Sequence, residues 1–369
     1  DDCVALDADI RESLVGEGQP VRTAGCVGGD NPDGYGLHPS LPNLAAMFDA
    51  GDAAFLCNVG SLAEPTTQSN YRRAKLPRQL FSHSDQTTQW MSSIADQDFS
   101  SGWGARVADL YHDTWNQNSQ SSMLITAAGG NPFMAGGQYT NQYSVSSSGA
   151  LSLAGFGNNY DAALDAQGRY LQSAQGERLK ALERVMQYSH AHLLEDGYAE
   201  MFNSARANEG VINAAAQAED SIFGTGAGVR NFDAIWSEYG ASGNVADELK
   251  AIARMIAGRQ QIGNNRQIFF VDLGGFDTHA SINTNLPPRL EELDKALAAF
   301  NEGMKTLATA DTEFSYDQVT TFQASDFNRT WTPNGSSGGA GTDHGWGGHS
   351  FILGGAVKGG NFYGEFPEL

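Results

Sequence analysis

Two patterns of apolar residues run along the chain, one recurring every three to four residues and one of short continuous runs, and together they set out its elements. Leu290, Leu293, Leu297, Phe300, Met304 and Leu307 alternate by three and four and predict a helix from Pro287-Pro288 to Leu307. Prolines suit a helix start, where the missing N–H has no partner to lose, and Glu291 and Glu292 suit the positive end of the helix dipole. The same spacing predicts helices over Pro42–Gly51 through Leu44, Met47 and Phe48, over Gly104–Tyr111 through Val107 and Leu110, and over Val245–Ala257 through Leu249, Ile252 and Ile256. From Tyr160 to about Ala218, Leu, Ala, Glu, Arg and Gln fall at helical spacing, which gives one long helix or two packed ones.

The runs Ala53–Val59, Met123–Ala127, Ile268–Val271, Val319–Ala324 and Ser350–Leu353 are apolar, rich in β-branched or aromatic residues and of strand length, so they read as buried strands. Strand, helix and strand in the order 268–271, 287–307 and 319–324 predict a right-handed crossover and parallel pairing. The expected fold is α/β, a single domain over residues 1–369 with a mostly parallel central sheet sandwiched between helices. A loop-rich insertion is expected at about 131–158, where Ser, Gly, Asn and Gln dominate, followed by a helical segment at about 160–218. Gly224–Gly243 reads as a further loop, and Asp7–Leu14 as one short helix.

Composition narrows the partners. A hydrophobic content of 40% is ample for a core, and a formal net charge of -21 argues against nucleic acid or an anionic membrane, both of which would repel the chain. A divalent cation suits that balance; so does a plain solubilising surface. No run of apolar residues is long enough to be a transmembrane helix. Cys3 and Cys26 bracket a polar, glycine-rich segment and read as either a disulfide or two thiols, with Cys57 a buried thiol in a strand.

The chemistry gathers where three predicted strands end. Asp277 and His279 follow Gly274-Gly275, Asp326 and Arg329 follow the second strand, and His344 and His349 lie in a glycine-rich loop before the third. Open α/β sheets keep their sites beyond the carboxyl ends of strands, and carboxylate oxygen with imidazole nitrogen is a metal-ligand set. Asp277, His279, Asp326, His344 and His349 are therefore metal-ligand candidates; a hydrogen-bonded loop network fits the same spacing equally well. Arg329 reads as a clamp for a phosphate or sulfate oxyanion or as an ion-pair partner of Asp326. Ser82-His83-Ser84-Asp85 reads as a hydrogen-bonded structural loop, since triads are assembled from distant segments. His190 and His192, two apart on a helix, do not share a face and do not read as a metal site.

Several motifs in order carry a resemblance: Gly275-Phe276-Asp277-Thr278-His279, Ser325-Asp326-Phe327-Asn328-Arg329-Thr330, and Gly341-Thr342-Asp343-His344-Gly345-Trp346-Gly347-Gly348-His349, preceded by Tyr35-Gly36-Leu37-His38-Pro39 and Leu80–Gln86 with Trp90. Together they resemble the bacterial domain of unknown function 1501 family, which is similar to the alkaline phosphatase and sulfatase superfamily. The resemblance implies an alkaline-phosphatase-like sheet, export to the periplasm or beyond, and a hydrolase site holding two divalent metals, with zinc, calcium, magnesium or manganese as the choices. It implies that Asp277 and His279 bind one metal, that Asp326 helps hold the other and that His344 or His349 is the late histidine. It also implies an N-terminal strand, ahead of this sequence, carrying a glycine-rich aspartate turn. The partners implied are a small anionic ester or an exported polymer. Phe327, which cannot coordinate, and the lack of an assignable nucleophile point instead to a non-catalytic extracellular binding or assembly protein with protein partners.

Overall fold

The computed structural model describes residues 4–5, 36–116, 121–147, 149–150, 153–157, 160–188, 192–336 and 338–365. In chain order these form β1 (Val4–Ala5), β2 (Gly36–Leu37), α1 (Pro42–Asp49), β3 (Ala53–Gly60), α2 (His83–Ser92), α3 (Trp103–Trp115), β4 (Leu124–Thr126), β5 (Tyr143–Ser146) and β6 (Gly149–Ala150). Then come α4 (Ala174–Met186), α5 (Leu193–Gln217), α6 (Glu219–Phe223), α7 (Phe232–Tyr239), α8 (Asn244–Ala257), α9 (Arg259–Ile262), β7 (Ile268–Phe270), α10 (Ile282–Ala310), β8 (Thr320–Phe322), β9 (Gly347–Gly354) and β10 (Asn361–Tyr363). Asp7–Leu14, Cys3, Cys26 and His190 lie outside the described residues.

Most of the expected elements are present, and the departures have local reasons. The helix expected to start at the proline pair starts at Ile282 and carries Pro287 and Pro288 inside it. The prolines there forfeit two early i→i−4 bonds, and the apolar stripe that follows holds the helix against its neighbours. α7 lies within the expected Gly224–Gly243 loop. Asn231 accepts the Ala234 N–H at 3.0 Å and Gly240 closes the helix at φ 62°, while Phe232, Ile235 and Trp236 are buried. Phe232, Ile235 and Trp236 fall at the same three-and-four spacing as the apolar residues of α1, and the Asn and Gly end signals of α7 were also there to read. Of the 160–218 segment, α4 and α5 are helical, and 160–173 is turns closed by an antiparallel bridge between Leu164 and Tyr170.

The single, mostly parallel sheet is not what forms. The described strands make two mixed four-stranded sheets, ordered β10-β3-β9-β8 and β6-β5-β4-β7, besides the short β1-β2 pair. β3 pairs β10 in parallel but β9 antiparallel, and β8 pairs β9 antiparallel; β4 runs parallel to β5 and β7. β7 and β8, joined through α10, each end a different sheet instead of lying side by side. The error came from taking a crossover helix to imply neighbouring strands, whereas it implies only a common direction.

Layering follows side-chain alternation. Ile125, Phe269 and Val271 face the main core of α1, α7, α8 and α10, while Leu124, Ile268 and Phe270 face a second cluster around Ala105, Phe133 and Met134. Strands buried on both faces read as continuous apolar runs, which is why these were legible. No helix among the described residues is long and apolar enough to cross a membrane. Cys57 is a buried free thiol, pushed up to about 11 by burial.

One acidic group marks a weak point in this frame. Burial, and after it repulsion from Asp272, push the Glu248 carboxyl in α8 from 4.5 up to about 7, and its Oε2 has no hydrogen-bond partner among the described residues. The folded state therefore holds this proton more tightly than the unfolded chain. Stability is full below about pH 4.5 and is lost as pH rises through about 7. Glu248→Gln is expected to remove this loss, raising stability at pH 8 by about 1 kcal/mol once solvent screening is allowed for. Denaturant unfolding of both chains at pH 5 and pH 8 measures it; an equal gain at both would rule out the titration.

Candidate metal centre

Three loops carry the site, and backbone pairing locks them together. Thr342 N–H donates to Thr278 O, Ala280 and Ala340 form an antiparallel bridge, and so do Arg329 and His344. Gly345 N–H donates to Asn328 O, and Asn328 N–H to Gly347 O. Glycine is needed because the strands touch: a Cβ on Gly341 would lie 2.2 Å from the Thr278 carbonyl oxygen, and one on Gly345 1.8 Å from Asn328 Oδ1.

The fourth piece is the N-terminus of α2. His83 is its first residue, and Gln86, fully buried one turn later, donates from Nε2 to Ser61 Oγ at 3.2 Å and to Trp346 O at 3.0 Å. That ties α2 to the glycine-rich loop and aims His83 at the strand ends. Ser82-x-x-Asp85 ahead of Trp90 and Met91 is a helix-start pattern, so the helix was legible. The loop reading of 82–85 is corrected: His83 belongs to the site.

His83, Asp277 and His344 each offer a ligand atom within 4.8 Å of the other two. Asp277 is the hub. Its Oδ2 lies 3.4 Å from His83 Nε2, and its Oδ1 lies 3.1 Å from His344 Nε2 and 3.0 Å from His279 Nε2. His279 Nε2 and His344 Nε2 are 2.9 Å apart. Each of the three rings has its other nitrogen against an oxygen acceptor: His83 Nδ1 at 2.6 Å from Asp326 Oδ2, His344 Nδ1 at 2.6 Å from Phe81 O, and His279 Nδ1 at 3.2 Å from Asp343 Oδ1. Each ring thus has an oxygen against Nδ1 and an Asp277 oxygen against Nε2; in the tautomer with the proton on Nδ1, the Nε2 lone pairs would point toward Asp277.

Packing sets the rings as firmly as the hydrogen bonds do. Phe327 is buried and its ring lies 4.6 Å from that of His83 and 4.5 Å from that of His344. Phe81, whose carbonyl receives His344, sits at φ 74° in the left-handed region, and its N–H donates to Gln86 Oε1 at 2.5 Å. A non-glycine residue held there at a functional site is strained backbone that its surroundings enforce.

The remaining candidates fall around this centre. Asp326 orients His83 from outside. Arg329 donates to Asp277 Oδ1 at 2.5 Å, to Thr342 Oγ1 at 3.1 Å and to Thr342 O, so its ion pair is with Asp277, not Asp326. Burial raises the Asp277 carboxyl, but hydrogen bonds from Arg329 and His344 outweigh it and hold the group below the usual carboxylate range. His349 stands apart from the cluster. It lines the adjoining cleft, its Nδ1 accepts the Asn58 N–H at 3.2 Å, and burial lowers its pKa.

Residues 29–369, nearly the whole chain and all of this site, match the family described as protein of unknown function, DUF1501. The chain belongs to the DUF1501 family. The match covers the strand-end motifs and His83 alike. No curated protein matches the chain. No solved structure matches it either.

Proposed function

We propose that this DUF1501 protein is an exported, metal-dependent hydrolase of phosphate or sulfate esters, with a site of the kind used in the alkaline phosphatase and sulfatase superfamily. One observation carries the reading: His279 Nε2 and His344 Nε2 lie 2.9 Å apart beside the Asp277 carboxylate, with an oxygen acceptor against each Nδ1. With the protons on both Nδ1 atoms, the two Nε2 lone pairs would face each other and repel unless a cation lay among them. Nitrogen ligands about 2.0–2.1 Å from a tetrahedral zinc stand about 3.3 Å apart, close to the separations seen here. Imidazole nitrogens with one carboxylate favour zinc over calcium or magnesium, which take oxygen donors.

A bound zinc would supply Lewis-acid polarisation of the ester oxygen. His83, His344 and Asp277 would hold it, with Asp326 and the Phe81 carbonyl orienting the two rings and His279 standing beside Asp277. Arg329 neutralises Asp277 and anchors the Thr342 loop, which makes it a positioning residue. Its engagement also favours a second reading, a non-catalytic metal-holding protein, because the guanidinium of Arg329 is taken up by Asp277 and Thr342 and is not left to clamp an oxyanion.

Elemental analysis of the purified chain, followed by turnover of aryl phosphate and aryl sulfate with and without a chelator, separates the two. Bound zinc with chelator-sensitive turnover supports the hydrolase; zinc without turnover supports the second reading; no zinc ends both. Asp326→Asn is expected to lower zinc affinity about 10–100-fold by loosening His83. Competition against a chromophoric chelator measures it, and unchanged affinity would remove Asp326 from the site.

A further inference from the structure

Asn334 fastens three segments beside the cluster. Its Nδ2 donates to His279 O at 2.9 Å and to Asp343 Oδ1 at 3.3 Å, while its Oδ1 accepts the Gly341 N–H at 3.0 Å. Its own N–H donates to Gly341 O at 3.0 Å. Asp343 in turn faces His279 Nδ1 at 3.2 Å, so one side-chain amide holds both the backbone of His279 and the carboxylate beside its ring. The residue that follows is Gly335, and Asn334-Gly335 is the only Asn-Gly pair in the sequence.

Such a pair is chemically labile where the backbone can bend, because the peptide nitrogen after an asparagine can attack the side-chain amide carbon, and glycine has no Cβ to obstruct it. Three observations put Asn334 where this attack is open. Residues 331–336 are all exposed and belong to no helix or strand, so no hydrogen-bonded ladder resists the bend. Among the described residues the Gly335 N–H donates to nothing. The Gly341 N–H points at Asn334 Oδ1, the oxygen on which negative charge develops during attack, and so stabilises the tetrahedral intermediate.

We propose that Asn334-Gly335 is a site of spontaneous deamidation, and that its conversion unfastens the loop carrying Asp343 from His279. The Gly335 nitrogen bonds to Asn334 Cγ, the Cγ–Nδ2 bond breaks, and Nδ2 leaves as ammonia with the proton given up by Gly335. Water then opens the cyclic imide, its oxygen adding to a carbonyl carbon and its proton returning to the Gly335 nitrogen. Opening at Cγ gives aspartate; opening at the Asn334 main-chain carbonyl gives isoaspartate. Either product replaces an amide that donates twice by a carboxylate that cannot donate. His279 O then loses its donor, and a second negative charge stands opposite Asp343 at the 3.3 Å now bridged by Nδ2, where like charges repel. Isoaspartate also lengthens the main chain by one carbon and throws the pairing of Asn334 with Gly341 out of register. The proposal stands whether or not the cluster holds metal.

The test is to age the full chain in warm, mildly alkaline buffer and map it by peptide mass spectrometry, with labelling by an isoaspartyl methyltransferase as a second readout. The expected result is a change from amide to acid at Asn334 ahead of every other asparagine, with isoaspartate in the same peptide. Gly335→Ala, whose Cβ would meet only Ala340 Cβ at 3.5 Å, an ordinary contact, is expected to slow the conversion at least about tenfold. Amide hydrogen exchange reads the consequence. The N–H groups of Ser281, Ile282 and Thr342, which donate to Gly339 O, Ala340 O and Thr278 O, are expected to exchange at least about tenfold faster in the aged chain and in Asn334→Asp than in the fresh chain. No acid at 334, or an equal rate of conversion in Gly335→Ala, overturns the proposal. So does exchange in the converted chain as slow as in the fresh one. The aged wild-type chain decides the matter even where Asn334→Asp does not fold.

Discussion

His344→Ala is expected to lower the affinity of the purified chain for zinc by more than about 100-fold, beyond the 10–100-fold that loss of an outer partner costs. The ring is held on three sides: Nδ1 by the Phe81 carbonyl, its face by Phe327, and Nε2 by the Asp277 carboxylate at 3.1 Å. Alanine removes one of the three grouped donors and leaves His83 with Asp277, fewer than a closed tetrahedral site needs. The backbone bridge between residues 329 and 344 does not depend on the side chain, so the loop stays paired. Zinc competition titration measures the loss, with circular dichroism confirming that the variant is folded. Wild-type affinity in a folded variant would rule His344 out as a ligand and the hydrolase with it.

Phe48→Ala should cost about 3–5 kcal/mol of stability without altering the site. Phe48 is fully buried in α1, with its ring centroid 5.5 Å from that of Phe55 on β3 and 5.2 Å from that of Phe362 on β10. Truncation loses the transfer energy of the ring and opens a cavity that α1 is poorly placed to close. The helix is pinned from across the core by Asp294, which accepts the N–H of Leu44 at 2.8 Å and that of Asn43 at 3.2 Å. Guanidinium unfolding reads the loss as a lower midpoint at unchanged slope. A cost below about 1 kcal/mol would mean that the aromatic cluster is not packed as described.

Local signals made most elements legible. The apolar stripe of α10 and the run Ile268–Val271 each bury one face or two, and burial leaves a period of three to four residues or an unbroken run. α7 was missed although Phe232, Ile235 and Trp236 fall at helical spacing, because the glycines at 224, 226, 228, 240 and 243 around it read as loop. Asp277, His279 and His344, which the structure brings together, were legible because acid and imidazole groups on glycine-flanked turns at strand ends are a local pattern. His83 was not, because nothing near it in sequence says that Gln86 and Ser61 turn its helix toward residues some 200 positions away, as the Gln86 bonds at separations of 25 and 260 do. The same lack of local information placed His349 with the ligands and gave Arg329 the wrong carboxylate.

By itself the sequence determined most of the segments that are helix or strand, that the chain mixes them, and which residue types could hold a cation. Only the tertiary structure decided that the strands form two mixed sheets, that a cleft separates β7 from β8, and that His83 joins the centre while His349 stays outside it. Periodicity reports what a residue needs buried, and many arrangements bury it equally well. Which strand edges meet and which nitrogens converge depends on contacts between distant segments, and those leave no period to read.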